Sequence, residues 1–136
     1  MPNSHQHRDK AQHNRAFLNT ISVNTYPDWA TVAAFYTAVH LVERLRTKLP
    51  NAAEQHSTDH HDRLQFVQTH HRAIHTEYHE LFNAALIARY QTIHSFRTQF
   101  TNTDVQDILI DQYLLAIEQH VTGYFAPHTP PAPPTT

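Results

Sequence analysis

Apolar positions fall along this chain in blocks spaced for helices, with polar breaks between them. Residues 4–22 are polar apart from Ala11, Phe17, Leu18 and Ile21, which predicts a weakly amphipathic first helix. Asn24-Thr25-Tyr26-Pro27 interrupts it, and Asp28 stands where an N-cap belongs. From Trp29 to Val42 only Thr31, Thr37 and His40 interrupt small, apolar and aromatic residues. A helix apolar on most sides belongs in the middle of a bundle. It turns amphipathic through Glu43, Arg44, Leu45, Arg46 and Leu49, and Pro50 ends it.

Asn51 to Gln55 reads as a loop, followed by Ser57, Thr58 and Asp59 as caps for a third helix carrying Leu64, Phe66 and Val67. The polar run Thr69-His70-His71-Arg72 predicts a bend before the period resumes at Ile74, Tyr78, Leu81, Phe82, Ala85 and Leu86 and continues to Tyr90. Residues 91–102 read as an ordered but irregular connection. Thr103 with Gln106 forms a capping-box pattern for a last helix with Val105, Ile108, Leu109, Tyr113, Leu114, Ile117 and Val121 as its apolar face. Gly123 can end that helix. The architecture expected is all-α: an up-and-down four-helix bundle with a short additional helix. One domain covers residues 1–126, and a disordered, extended, Pro-rich tail covers 127–136.

Composition narrows the function. One Gly in 136 residues disfavours folds built from many tight turns, and the absence of Cys excludes disulfide and thiol-metal chemistry. Ten Lys plus Arg against twelve Asp plus Glu argue against a strongly basic nucleic-acid surface. The polar start lacks a signal-peptide core, which makes a cytoplasmic protein the default. No apolar stretch approaches the ~20 residues that span a bilayer, so no membrane partner is expected.

Fourteen His in 136 residues raise a metal-binding reading. His71, His75 and His79 lie at i, i+4 and i+8, and His56 with His60 forms a second i, i+4 pair. Such pairs can chelate Zn²⁺, with Glu43, Glu77 or Glu80 as a third ligand. The first triplet cannot share one ion, because i to i+8 spans ~12 Å along a helix. In a chain this rich in His, such pairs arise by chance, and no metal ligand or cofactor is assigned.

Three other features point to anion chemistry. His60 and Arg63 face one side of a helix near its positive N-terminal end, although Arg63 could equally pair with Asp59 or Asp62. Arg89 closes a helix beside Tyr90 with no carboxylate at i−4 or i−3, so its partner is tertiary, solvent or a ligand. His40 interrupts the most apolar helix, where one ring nitrogen needs a partner.

The ordered set Asp28-Trp29-Ala30, Ala34-Phe35-Tyr36-Thr37-Ala38-Val39-His40, Asp59-His60-His61-Asp62-Arg63, Tyr78-His79-Glu80-Leu81 and Ala88-Arg89-Tyr90 resembles small prokaryotic HEPN-like proteins over roughly residues 8–122. The resemblance implies an all-α bundle, a homodimer, RNA or nucleotide binding, and in many branches a metal-independent ribonuclease of a toxin–antitoxin or defence system, with an antitoxin as partner. Catalytic branches carry Arg, four to six residues, then His. Arg89-Tyr90-Gln91-Thr92-Ile93-His94 fits, with Tyr where Asn, Asp or His is usual. Arg8–His13, Arg63–His70 and Arg72–His79 fit as well, so the spacing alone singles out nothing. In the role the resemblance implies, His94 takes the ribose 2′-OH proton and Arg89 stabilises the phosphoryl charge. His40, His60, Arg63 and Tyr90 are the ligand-binding candidates. Two competing readings are a His-rich metal-binding bundle and a non-enzymatic dimeric adaptor.

Overall fold

A computed structural model describes residues 2–50 and 59–127. The described residues are all-helical, with no strand. The helices are α1 (Ser4–Thr20), α2 (Pro27–Arg46), α3 (His60–His70), α4 (His75–Tyr90), α5 (Ile93–Gln99) and α6 (Leu115–Phe125). A 3₁₀ turn, Arg72–Ile74, precedes α4, and a π-helical segment, Asp104–Leu114, leads into α6. No described helix is long and apolar enough to cross a membrane. The expected loop at 51–55, the caps Ser57 and Thr58, His56, and the tail after Pro127 lie outside the described residues.

Helix α2 is the hub, packing against α1, α3, α4, α5, α6 and the π segment. Its Ala30, Ala34 and Ala38, one turn apart, are fully buried, as are Phe35 and Val42. Thr31 and Thr37 are buried there too, their hydroxyls donating to the carbonyls of Pro27 and Ala33 at 2.8 Å each. That back-bonding satisfies a hydroxyl inside an apolar helix. α1 runs antiparallel to α2, with contacts from Arg44 to Ser4, His40 to His7 and Tyr36 to Asn14.

The helix ends correct the sequence reading in several places. Asp28 is not the cap of α2: the helix starts at Pro27, whose fixed φ and missing N–H suit the first turn. Asn3 caps α1 reciprocally with Gln6. The bend near residues 69–72 is present, because α3 stops at His70 and His71 leaves helical geometry (φ −139°, ψ 54°). His71 therefore caps α3 instead of joining His75 and His79 on one arc. The segment 91–102 contains α5, whose Thr92 hydroxyl accepts from the Ser95 N–H at 3.1 Å. Before the π segment the reciprocal cap is Thr101 with Asp104, not Thr103 with Gln106.

Gly123 does not end α6, which runs on to Phe125. On the last face, Ile110 is buried where Ile108 was expected. The cause is the wider turn: i to i+5 bonding, as from the Leu115 N–H to the Ile110 carbonyl, brings residue 110 beneath residue 105.

Candidate functional site

Three residues of α2 at successive turns, Tyr36, His40 and Glu43, face a cluster supplied by α1, α3 and α4. The first turn of α3 brings in His60 and Arg63, with Asp59 as cap, its carboxylate accepting from the Asp62 N–H at 2.8 Å. The Arg63 Nε donates to Glu43 Oε1 at 2.7 Å, and each side chain is only 12% exposed. A second Arg63 nitrogen donates to His60 Nδ1 at 2.8 Å. Burial works against the Arg63 charge, but the neighbouring Tyr78 and Glu43 outweigh it and raise its pKa. The Tyr78 hydroxyl is buried next to this guanidinium without a partner in hydrogen-bonding geometry among the described residues. Burial pushes its pKa up, so it stays protonated.

His60 packs on Phe35, Phe82 and Tyr36, with ring centroids at 5.3, 5.5 and 6.3 Å. Burial lowers its pKa, and the Arg63 and Arg89 charges lower it further, against an opposing pull from Asp59. The imidazole is therefore neutral at pH 7. Because its Nδ1 accepts from Arg63, its single proton sits on Nε2. His60 is thus a fixed hydrogen-bond donor, in the wrong tautomer to remove a proton through Nε2.

The last turn of α4 supplies Arg89. Its Nε donates to the Ala85 carbonyl at 3.3 Å and its Nη1 to the Tyr36 hydroxyl at 2.9 Å. The guanidinium carbon lies 5.7 Å from the Tyr36 ring centre and 5.2 Å from that of Tyr90. Tyr90 is 76% exposed. Tyr36 thus carries His60 at one edge and Arg89 at its hydroxyl and face.

Tyr36 and His40 also line a groove of about 550 Å³ with Lys10, Asn14, Phe17 and Trp29. His40 Nδ1 is hydrogen-bonded to His7 Nδ1 at 3.1 Å, which supplies the partner that the sequence requires. Burial, then the charges of His7, Lys10 and Arg63, bring the His40 pKa down to about 4, against Glu43.

The structure therefore brings His60 and Arg89 to Tyr36, with Arg63 bonded to His60, Tyr90 beside Arg89, and His40 one turn further along α2. It does not join His94 to them. His94 sits exposed on the first turn of α5, and no hydrogen bond or ring contact links it to Arg89 among the described residues. Sequence reasoning missed Tyr36 and His7, and weighed Glu43 only as one of three possible third metal ligands, not as the partner of Arg63. The i, i+4, i+7 stripe Tyr36–His40–Glu43 was the available sign. No three His, Asp or Glu residues converge to hold a metal ion among the described residues. His71 meets His120 at 3.0 Å and His75 stacks on His79 at 5.9 Å, both only as pairs.

Comparison with protein-family models, curated proteins and solved structures gives no match.

Proposed function

We propose that this chain is a HEPN-like helical bundle that binds a nucleotide or single-stranded RNA at the Tyr36–His60–Arg89 cluster. The observation that carries the reading is the pairing of a neutral Nε2–H donor on His60 with the Arg89 guanidinium at one tyrosine. Such donors suit phosphate oxygens, and Arg is the planar donor for them. The exposed Tyr90 ring beside Arg89 suits stacking of a base, an interaction worth about 1–3 kcal/mol per base. A net charge of −2 fits a compact site with few phosphate contacts, not a long basic track.

The geometry favours binding over cleavage. His60 carries its proton where a general base needs a lone pair, and His94 stands apart from Arg89. The ribonuclease reading rests on the resemblance, with His94 as base and Arg89 as phosphoryl donor. The homodimer of that reading draws support from the exposed aromatic rings of Phe17, Tyr26 and Trp29 on the α1–α2 side. The cytoplasmic location and the antitoxin partner belong to the same proposal and rest on the sequence and the resemblance.

Trp29 is the sole tryptophan and lines the groove beside Tyr36 and His40, so its emission reports on this face. Titration with adenosine monophosphate and with a short single-stranded RNA should give a saturable change. Arg89→Gln should weaken it at least tenfold, while Arg72→Gln, on the exposed 3₁₀ turn, should leave it unchanged. If neither ligand binds, measured also by calorimetry, the reading fails. RNA cleavage in EDTA that disappears in both Arg89→Ala and His94→Ala would restore the catalytic pair.

A further inference from the structure

The second large concavity lies on another side of the bundle, between α1, α2 and α6, with a volume of about 720 Å³. That is within the usual range of small-molecule pockets. Its floor is apolar: Ala11 and Val121 are buried in the core, and Leu41 and Phe125 border them. Along α1 it extends from Arg8 to Asn19, which is roughly 17 Å at the rise of an α-helix.

Charge along this groove is uneven. Arg15, midway, is matched by Glu118 at 3.4 Å. Arg8 and Arg44 gather at the end where Phe125 and Pro127 border the groove. Arg44 has no carboxylate partner among the described residues. Its Nε donates to the Ser4 hydroxyl at 3.3 Å, and its guanidinium carbon lies 3.9 Å from the Phe125 ring centre. These two contacts fix the fork in place. Burial, and after it the charge of Arg8, lower the Arg44 pKa, as expected for a cation without a counter-ion. Among the described residues Arg8 reaches only the adjacent Asp9, an exposed pair of little strength.

We propose that the α1–α2–α6 groove binds a single-chain amphiphile with a carboxylate head, held by Arg44 and Arg8, and an apolar tail lying against Leu41 and Phe125. The head supplies the missing counter-charge, and a planar carboxylate matches the fork of Arg44. The tail covers the apolar side chains of Leu41 and Phe125, which the helices leave part-exposed. The site is independent of the Tyr36 cluster.

The test uses the full chain and decanoate below its micelle concentration, followed by isothermal titration calorimetry. One saturable site is expected, and decanol, with the same tail and no charge, should bind at least tenfold more weakly. Arg44→Gln should lose a similar factor for decanoate and little for decanol, while Arg44→Lys should recover part of the loss. Helical circular dichroism checks that each variant folds, and the decanoate–decanol ratio on the unaltered chain decides the matter if Arg44→Gln does not. Equal affinity for decanoate and decanol overturns the proposal. So does the absence of saturable binding.

Discussion

Arg63 of α3 and Glu43 of α2 meet at 2.7 Å, each side chain 12% exposed, and this pair ties the start of α3 to the hub helix. Two charges this deep lose much hydration, and only their contact offsets the loss. Removing one of them leaves the other charge stranded.

Arg63→Met should therefore destabilise the fold by about 3 kcal/mol or more. The double change Arg63→Met with Glu43→Leu should recover most of that loss, since no unpaired charge remains. Urea unfolding followed by circular dichroism measures both. A single substitution costing less than ~1 kcal/mol, the size typical of an exposed ion pair, would show that the pair behaves as a surface contact.

The seam of α2 gives a second expectation. Ala30, Ala34 and Ala38 are fully exclusive of solvent, and α4 presents Ala84 and Ala85 in the same state. Small side chains let two helix backbones approach closely, so no room remains for a larger group. Ala34→Leu should destabilise by about 1–3 kcal/mol through overpacking. The same change at exposed Ala16 should stay within roughly 0.5 kcal/mol. Paired denaturant curves decide it.

How far the sequence foretold this molecule depends on the range of each interaction. The hub helix was legible because its apolar run is long and Pro27 opens it, although it stops at Arg46, short of Pro50. The bend before α4 was legible from Thr69-His70-His71-Arg72. Short α5 was not, because its stability rests on Phe96 and Phe100, stacked at 5.2 Å, and on the Thr92 cap, with only weak periodicity. The burial of Ile110 could not be foreseen, since a π-helical register changes which residues share a face. At the candidate site, Arg89 was correctly set aside as lacking a local carboxylate. Its partner Tyr36 lies 53 residues away and carries no local sign of that contact. For Arg63 the sequence leaves anion binding and a local pair with Asp59 or Asp62 both open, and tertiary packing instead offers it the less exposed Glu43.

Tyr36→Phe removes only a hydroxyl and keeps the ring under His60 and Arg89. The lost hydrogen bond should lower stability by about 1 kcal/mol. Nucleotide affinity should fall severalfold, because Arg89 then keeps only its bond to the Ala85 carbonyl. Unfolding curves and Trp29 titration read the two effects separately. Unchanged affinity would mean that Tyr36 does not position Arg89 for the ligand.

The buried histidines set the response to acid. His7, His40, His60 and His71 all have pKa values below the ordinary 6.5 in the folded state, chiefly because of burial. His40 is lowest, at about 4, and the groups facing it are His7 and Lys10 from α1, Arg63 from α3 and Glu43 from its own helix. Between pH 6.5 and about 4 the unfolded chain binds protons that the native chain does not, so stability falls as pH falls through this window. Above pH 6.5 both states hold neutral imidazoles, and these groups add no slope. Glu118 works in the other direction: burial raises its pKa, so its contribution is present in acid and fades as pH rises through that raised value. One carboxyl does not offset four imidazoles. The melting temperature should be flat from pH 8 to 6.5 and then decline steadily toward pH 4. His40→Gln should flatten the lower half of that decline, because it removes the group with the widest gap between folded and unfolded values. Ring-proton NMR should place the His40 midpoint near 4. A midpoint near 6.5 for His40, or a melting temperature constant down to pH 5, would contradict this account.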